Sequence, residues 1–340
     1  MTPDVIIAGG GPAGLAASLY ALAAGLSPQV HEPRPGVVDK ACGEGVMPAG
    51  VTRLHALGVY PRGMEFVGIR YRAAGRVAQT RFRGPPGLGV RRTELHRALR
   101  RAVLEAGIPI LPRRVRAVQQ RPDGVLVDGT PAGYLIVADG LHSRLRTTLG
   151  MAGRPRGPRR YGLRQHVRRA PWTDHVEVHW SAHSEAYITP VAPDQVGIAI
   201  LTSTRAPFRT QLDAFPEVRQ LLADAPPASP VRGAGPLHQS SNRRVLGRVL
   251  AVGDASGYLD AITGEGISLA LAQADAAVEA IATGRPGAYE RRWHQIVRRH
   301  RLLTGALMAA SASPLRPHLV PAAERLPWLF AAAVNEVGRT

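Results

Sequence analysis

The chain has 340 residues, of which 45% are hydrophobic, so it can bury a core, and its length suggests about two domains. Its formal charge of +18 comes from scattered basic residues, so we expect no nucleic-acid partner and at most weak attraction to anionic lipid or an acidic protein. Because the chain has no run of about eighteen apolar residues and no signal-peptide block, we expect a cytoplasmic protein without a transmembrane segment.

The first predicted unit is a strand, a glycine-rich turn, a helix and a second strand. The first strand covers Asp4–Ala8, the turn reads Gly9-Gly-Gly-Pro-Ala-Gly14, and the second strand runs from Gln29 to Glu32. This order is typical of a dinucleotide-binding βαβ unit. The sequence therefore predicts a nucleotide cofactor.

Each residue type in this unit has a physical reason to be there. Gly9 permits the tight turn, Gly11 leaves room for a pyrophosphate, and Gly14 lets the helix pack close to the strand. Glu32 is placed to accept hydrogen bonds from ribose hydroxyls. The free N–H groups at the helix start attract the anion. The cofactor-binding residues predicted in this unit are Gly9, Gly11, Pro12, Ala13, Gly14 and Glu32.

The next part of the chain mixes loops, strands and helices. A loop over Pro33–Pro48 leads to a short helix at Val51–Leu57. Two strand-like runs, Gly68–Arg72 and Val77–Arg83, predict a hairpin. Apolar residues at helical spacing predict a helix over Thr93–Glu105. Short strands follow near Ile108, Val115 and Val125, and then an apolar run at Tyr134–Ala138.

The middle third predicts a second sheet, and the last third returns to the first pattern. The middle runs suggest consecutive antiparallel strands at Tyr161–Arg168, Val176–Trp180, Ala186–Val191 and Gly197–Leu201. The last third has a strand at Val249–Val252 and helices at Ile267–Ile281, Tyr289–Met308 and Pro321–Val337.

We therefore expect an α/β fold with a Rossmann-like, three-layer nucleotide-binding domain and an inserted antiparallel β-sheet for substrate. The nucleotide-binding domain is expected to comprise residues 1–66, 88–155 and 243–310. The substrate sheet is expected to comprise residues 67–87 and 156–242, and residues 311–340 to form a C-terminal helical tail.

Three later motifs specify the cofactor. They are Val90-Arg-Arg-Thr-Glu-Leu95-His-Arg-Ala-Leu99, Ala138-Asp-Gly-Leu-His-Ser143-Arg-Leu-Arg146, and Gly253-Asp254-Ala-Ser-Gly257 followed by Thr263-Gly-Glu-Gly-Ile267. With these motifs in order after the glycine turn, nearly the whole chain resembles the flavoprotein superfamily of the para-hydroxybenzoate hydroxylases and the geranylgeranyl reductases. The resemblance implies an FAD cofactor.

The resemblance also implies where FAD lies along the chain. Arg92 is expected near its phosphates, with Val115 against the adenine. Asp139 belongs to the family's second dinucleotide motif, and Asp254 is expected to hydrogen-bond the ribityl chain of FAD. Turn or helix-cap roles are the other interpretation of both aspartates. The helix after Gly266 directs its positive end to where a reduced flavin carries negative charge. Further FAD-binding residues implied by the resemblance are Cys42, Gly43, Gly253, Gly264 and Ile267.

The segment Asp39-Lys-Ala-Cys-Gly-Glu-Gly45 is the most specific subfamily signal. It resembles the stretch that passes over the flavin ring in geranylgeranyl reductases and related oxidases. We list Cys42 and Lys40 as catalytic candidates, since Lys40 is the only lysine in an arginine-rich chain. A small buried thiol and the chance survival of one lysine are the other interpretations. With one cysteine and scattered histidines, the sequence predicts no disulfide and no metal site.

Polar and aromatic residues on the predicted middle sheet are candidates for the substrate wall. Residues of one parity share a face of an antiparallel sheet, so Trp180 and Tyr187 are expected on one apolar cavity. The candidates are His166, Trp180 and Tyr187, with Tyr161 and His179 as further members.

These features predict an FAD-dependent oxidoreductase. The preferred reaction is hydroxylation of a hydrophobic aromatic or polyketide-like molecule by a monooxygenase, with electrons from NAD(P)H or an electron-donor protein. The alternative is a geranylgeranyl reductase-like enzyme that saturates isoprenoid double bonds, although the chain lacks the tyrosine-tryptophan-phenylalanine-proline segment of those reductases. A basic surface-binding protein that retains a nucleotide fold is the alternative from another class.

Overall fold

The computed structural model describes residues 2–155, 157 and 159–339. Ten α-helices, α1–α10 in chain order, lie in these residues: Pro12–Ala23, Pro48–Ala56, Arg92–Glu105, Arg144–Thr148, Phe208–Leu212, Pro216–Leu222, Gly266–Ala282, Ala288–Ser311, Leu319–Arg325 and Pro327–Gly338. Short 3₁₀ turns cover Gly253–Ser256 and Arg316–His318. None of the described helices combines the length and apolar character needed to cross a membrane.

The same part of the chain contains nineteen β-strands, β1–β19 in chain order. They are Val5–Ala8, Pro28–His31, Gly45–Val46, Met64–Phe66, Gly68–Ala73, Arg76–Arg81, Gly87–Gly89, Ile110–Leu111, Val118–Gln120, Val125–Val127, Thr130–Ala132, Tyr134–Val137, Tyr161–Val167, His175–Trp180, Ser184–Ala192, Gln195–Thr202, Arg232–Ala234, Val245–Leu246 and Val249–Ala251.

The first sheet has six strands in the order β18-β19-β12-β1-β2-β8, and all are parallel except the edge strand β18. Val5 and Ile7 face the core formed with α1, α3 and α7, whereas Ile6 and Ala8 face the core formed with the small sheet of β9–β11. Both faces are covered, which explains the continuous apolar runs of these strands. This arrangement confirms the three-layer, Rossmann-like prediction.

The second sheet has seven strands in the order β17-β13-β16-β15-β14-β5-β6. It is antiparallel as predicted, except that β14 and β5 run parallel. The expectation of consecutive neighbours is wrong for β13 and β14, because the β15–β16 hairpin lies between them. The predicted hairpin of β5 and β6 is confirmed, and it extends this sheet beyond β14.

Alternate residues separate the two faces of the second sheet. Ala186, Ile188, Ile198 and Ile200 pack with α5 and α6, two short helices that the sequence analysis did not predict. The opposite face, which includes Tyr187, packs with the C-terminal helices. The period of two along each strand places these sets on opposite sides.

The C-terminal prediction of one helix over Pro321–Val337 is wrong in one respect. The chain forms two helices, α9 and α10, with a break at Leu326, whose backbone has φ of −121° and ψ of 62°. Pro327 causes the break because a residue before proline is disfavoured in the helical region. Val115 also lies outside a strand, although it is buried with the small sheet.

Glu177 on β14 is a fully buried carboxylate on the face away from the C-terminal helices. Its oxygens accept hydrogen bonds from Arg70 at 2.9 Å, Arg72 at 3.1 Å and the Trp172 indole at 3.0 Å, and Oε2 lies 3.2 Å from His179 Nε2. Burial acts to raise the pKa of Glu177, but these partners lower it to about 2. The ionised carboxylate therefore ties β5 to β14.

We expect Glu177→Gln to destabilise the fold by roughly 3 kcal/mol at neutral pH, because the half-buried guanidinium groups of Arg70 and Arg72 lose their counter-charge. A folded-state pKa below the unfolded value gives stability that is present above about pH 4.5 and is lost toward about pH 2. The thermal midpoint of the wild-type protein should fall through that window, and that of the variant should fall less. Glu105→Gln, at an exposed position of α3, is the matched control, and equal pH profiles for all three proteins would contradict the assignment.

Candidate active site

The glycine turn between β1 and α1 leaves the start of the helix free for an anion. Gly9 has φ of +116°, and a Cβ there would lie 2.4 Å from the carbonyl oxygen of Ala138. A Cβ at Gly14 would lie 1.9 Å from the carbonyl oxygen of Gly9, whereas one at Gly11 would meet nothing within 4 Å. The helix begins at Pro12 without a side-chain cap, so its first N–H groups are available.

Glu32 follows β2 and is 3% exposed. Oε2 accepts a hydrogen bond of 2.9 Å from the N–H of Gly10, and Oε1 accepts bonds from the backbone N–H and the guanidinium of Arg34 at 3.0 and 2.8 Å. Burial acts to raise the pKa of Glu32, but the bonds from Arg34 and Gly10 lower it to about 2. The carboxylate is therefore ionised at neutral pH beside the turn.

His96 on α3 joins the turn to two other segments, a role that sequence analysis missed. Its Nε2 lies 2.8 Å from the carbonyl oxygen of Gly10, and its Nδ1 accepts a hydrogen bond of 3.3 Å from the N–H of Val38. Burial and then the charge of Arg92 lower the pKa of His96 to about 4. The ring is therefore neutral, and these partners assign its proton to Nε2.

The turn after β19 is held by two side chains. Arg146 donates hydrogen bonds to the carbonyl oxygens of Asp254 and Ala255 at 3.1 and 3.3 Å. Gln273 accepts a bond of 2.8 Å from the N–H of Gly253. Burial raises the pKa of Asp254, with the charge of Lys40 acting in the opposite direction. The backbone of Asp254 therefore has a fixed place at the carboxyl end of β19.

The beginning of α7 lies beside this turn. The helix starts at Gly266 without a side-chain cap, after Gly264 with φ of +72°. The carboxylate of Glu265 is buried, and its Oε2 lies 2.8 Å from Nδ1 of His300 on α8. This contact fixes the first turn of α7, whose free N–H groups carry the positive end of the helix dipole.

The segment from Asp39 to Gly45 forms one wall of a large cavity. Within it, Sγ of Cys42 accepts a hydrogen bond of 3.3 Å from the N–H of Glu44. The carbonyl oxygen of Gly43 accepts a bond of 2.9 Å from Thr189 on β15. Burial and then the Glu44 carboxylate raise the pKa of the Cys42 thiol, so it stays protonated at neutral pH.

Lys40 brings its ammonium to the Asp139-Gly140 turn. A Cβ at Gly140 would lie 3.2 Å from Nζ of Lys40. The side chain is accessible through the cavity, yet the surrounding protein displaces water and lowers its pKa. Arg34 acts in the same direction and Asp254 in the opposite one. The only lysine of the chain is therefore part of this site.

A buried network holds the 39–45 segment against β13. Arg164, which is 1% exposed, pairs with Asp39 and donates a hydrogen bond of 3.1 Å to the carbonyl oxygen of Lys40. Glu44 Oε2 lies 2.6 Å from Nε2 of His166, and Glu44 Oε1 accepts a bond of 2.8 Å from the N–H of Arg92. We name this set, Asp39, Glu44, Arg164 and His166, the loop network.

The cavity has a volume of about 1680 Å³ and extends from the glycine turn to the C-terminal helices. This volume exceeds the range of roughly 300–1,000 Å³ that is usual for one ligand. One face of the second sheet lines it with alternate residues of four strands, namely Ile69, Tyr71, Val176, Val178, Tyr187, Thr189, Ala199 and Leu201. The cavity therefore has room for a dinucleotide and a substrate together.

Two of the three predicted substrate residues do not line this cavity. His166 belongs to the loop network, with Nδ1 2.8 Å from the hydroxyl of Ser229. Trp180 packs behind Tyr71, with ring centroids 5.5 Å apart. Both residues lie on the cavity-facing side of the sheet, but Glu44 contacts the His166 ring and the Tyr71 ring covers Trp180, so neither side chain reaches the cavity as expected. Tyr187 does line the cavity, and its hydroxyl donates a bond of 2.7 Å to the carbonyl oxygen of Ile262.

A family of FAD-binding domains matches residues 2–304 of the chain. The chain belongs to this FAD-binding family. A menaquinone reductase of Mycolicibacterium smegmatis is 28% identical over an alignment of 341 positions. The alignment covers 87% of this chain and 80% of the relative. A 3-amino-4-hydroxybenzoate 2-monooxygenase of Streptomyces platensis is 32% identical over 173 residues, which cover 45% of this chain and 43% of the relative.

A geranylgeranyl bacteriochlorophyll reductase-like structure from Thermoplasma acidophilum shares the fold, with a TM-score of 0.81 and 19% identity. It covers 96% of this chain, which in turn spans 91% of that structure. With the family match, these relatives identify an FAD-dependent oxidoreductase. The alternative of a basic surface protein that merely retains a nucleotide fold does not account for them.

Unpartnered polar atoms in the cavity fit an FAD cofactor. Among the described residues, the buried Nη1 of Arg92 and Oδ1 of Asp139 have no hydrogen-bond partner, and both side chains line the cavity. A guanidinium suits a phosphate, and a carboxylate suits a sugar hydroxyl. Burial lowers the pKa of Arg92 and raises that of Asp139, because it disfavours the charged form of each group.

Most of the predicted FAD-binding residues lie along this cavity, and their roles toward FAD stay predictions. Gly14 is an exception, because it packs against the turn from the helix side. The residues that do line the cavity are Gly9, Gly11, Pro12, Ala13, Glu32, Cys42, Gly43, Arg92, Val115, Asp139, Gly253, Asp254, Gly264, Gly266 and Ile267.

We expect Arg92→Met to weaken FAD binding by about tenfold to a hundredfold, because a charged hydrogen bond contributes about 1.5–3 kcal/mol. The measurement is calorimetric titration of the apoprotein with FAD. Arg97→Met, an exposed change on the same helix, is the matched control and should bind FAD like the wild-type protein. If both variants bound FAD with equal affinity, Arg92 would not be an FAD-binding residue.

Proposed function

We propose that the protein is a flavin-dependent reductase that saturates a carbon–carbon double bond in an isoprenoid or similar apolar chain. The observation that carries this proposal is the apolar extension of the cavity beyond the 39–45 segment. Aliphatic side chains of the second sheet form one wall of it, and the C-terminal helices form the other. The apolar residues that these helices contribute include Leu303, Leu307, Leu319, Leu326, Leu329, Phe330, Val334 and Val337.

The extension suits a long flexible hydrocarbon because its walls offer contact area with few hydrogen-bonding groups. The menaquinone reductase relative supports the same substrate class, since its similarity extends over most of both chains. Of the two reactions that the sequence left open, reduction is therefore the one that we place first.

Hydroxylation of an aromatic substrate is the second candidate. The similarity to the 3-amino-4-hydroxybenzoate 2-monooxygenase supports it, although that similarity covers less than half of either chain. The tyrosine hydroxyl at Tyr187 is occupied by the carbonyl oxygen of Ile262, so it is not free to activate a phenolic substrate.

FAD, when bound, supplies the hydride for the double bond. The glycine turn and Arg92 would hold its phosphates, and the carboxylates of Asp139 and Asp254 would hold its hydroxyls. The start of α7 would stabilise negative charge on the reduced cofactor through the helix dipole. The loop network holds the 39–45 segment in place as a wall of the cavity, where it would limit access of water to the cofactor.

Cys42 is the group we propose as proton donor to the carbon that does not receive the hydride. Its thiol lines the cavity and is protonated at neutral pH, because burial raises its pKa. The hydrogen bond from the N–H of Glu44 to Sγ leaves the S–H proton available. The same bond stabilises the thiolate that remains, which then recovers a proton from solvent.

The electrons are supplied by NAD(P)H or by an electron-donor protein in this proposal. The substrate is a small hydrophobic molecule, and the arginine-rich surface allows weak contact with anionic lipid.

Anaerobic turnover tests the proposed reaction. The FAD-loaded protein is reduced with NADPH or dithionite and incubated without oxygen with a polyprenol, whose only reducible groups are its carbon–carbon double bonds. We expect a product that has gained hydrogen at one double bond, detected by mass spectrometry. Product that forms only when oxygen is admitted, and that has gained an oxygen atom, would establish the second candidate instead.

We expect Cys42→Ala to lower kcat by about a hundredfold, because general acids contribute roughly 10²–10⁴. The rate of cofactor reduction by NADPH should not change, since that step needs no proton from the thiol. Cys42→Ser is the conservative partner and should retain more activity than the alanine variant. A loss confined to FAD binding, or no loss of kcat, would show that Cys42 only fills space.

A further inference from the structure

The C-terminal helices expose a group of large apolar side chains at the rim of the cavity. Leu302 is 72% exposed, Trp328 68%, Leu329 50% and Leu326 41%. We name these four residues the rim cluster. Leu326 and Leu329 also line the cavity, so apolar surface continues from its interior to solvent. Exposed apolar surface of this kind marks an interaction site more often than chance.

Leu302 and Leu329 lie on one side of the molecule, and Trp328 directly precedes Leu329. Arg299 on α8 pairs with Glu336 on α10, which places these two helices next to each other. Leu302 lies one turn after Arg299, and Leu329 lies two turns before Glu336, so each shares a helix face with the pair. Ala306, one turn after Leu302, lines the cavity. Leu302 on α8 and Leu329 on α10 therefore lie next to the cavity lining from both helices.

The charge around the rim cluster is strongly positive. Residues 288–339 contain eight arginines and three glutamates. Arg298 and Arg301 are exposed on α8 beside Leu302, and Arg325 directly precedes Leu326. An apolar patch with flanking arginines and an exposed tryptophan matches the composition of protein surfaces that lie on membranes.

We propose that the rim cluster docks on an anionic lipid bilayer and that the apolar substrate enters the cavity from the membrane. Leucine side chains enter the boundary of the acyl chains, the indole of Trp328 suits the interface, and the arginines bind the lipid headgroups. This inference rests on the proposed function only for the substrate, because docking itself does not depend on which reaction follows.

Vesicle flotation with the full-length, FAD-loaded protein tests the docking. The probes are large unilamellar vesicles of phosphatidylcholine alone and of phosphatidylcholine mixed with phosphatidylglycerol. We expect the wild-type protein to float with the anionic vesicles and to be released by high salt. The double variant W328S with L302S should bind about a hundredfold more weakly, since it removes two large apolar side chains from the contact.

Leu104→Ser is the matched control, because Leu104 is 51% exposed on α3, in the other half of the molecule. It should bind vesicles like the wild-type protein, and all variants should keep the wild-type thermal midpoint and flavin spectrum. Equal vesicle binding by the double variant, or no binding by the wild-type protein, would overturn the proposal. So would a change in oligomeric state caused by the double variant, since that would identify a second copy as the occupant.

The assay contains no substrate, so it separates docking from the reaction. If the protein floats with vesicles but does not reduce a polyprenyl compound in detergent micelles, the docking is supported and the proposed reaction is contradicted. A protein that reduces the compound in micelles but does not float would lose the docking alone.

Discussion

The loop network depends on one buried cation. The Arg164 guanidinium has almost no contact with solvent, so it must be paired, and Asp39 and Glu44 supply its counter-charges. Removing one partner of such a buried pair costs about 3–5 kcal/mol, because the remaining charge stays in a low-dielectric surrounding. The 39–45 segment therefore has one stable position, between β13 of the second sheet and α3 of the first half.

The position of the 39–45 segment explains how the first and second sheets contribute to a single site. Glu44 Oε1 accepts a hydrogen bond from the backbone N–H of Arg92 at the start of α3, and Glu44 Oε2 lies beside Nε2 of His166 on β13. The part of the cavity beside α3 and the part beside β13 are thus joined by one carboxylate. Cys42 and Gly43, which directly precede Glu44, are held in the cavity wall between these two contacts.

The cofactor half of the molecule could be predicted from sequence because its requirements are local. A few adjacent residues are enough to recognise a glycine with positive φ, an acid after a strand or an aspartate after a glycine. The substrate half could not, since its side chains meet across strands that are distant in sequence. His166 and Trp180 have the composition of a binding wall and lie on the cavity-facing side of the sheet, but Glu44 contacts the first and Tyr71 covers the second, and neither neighbour is close in sequence. Glu44, His96, Arg146 and Arg164 were missed for the same reason, although the first three lie inside quoted motifs.

A crystal structure of the FAD-loaded protein tests the central claim most directly. The account predicts that the isoalloxazine ring contacts the backbone at Cys42 and Gly43 and the start of α7, with Arg164 still paired to Asp39 and Glu44. It also predicts that the apolar extension beside the C-terminal helices stays open. A ring bound outside this cavity, or a 39–45 segment displaced with Arg164 separated from both carboxylates, would contradict it.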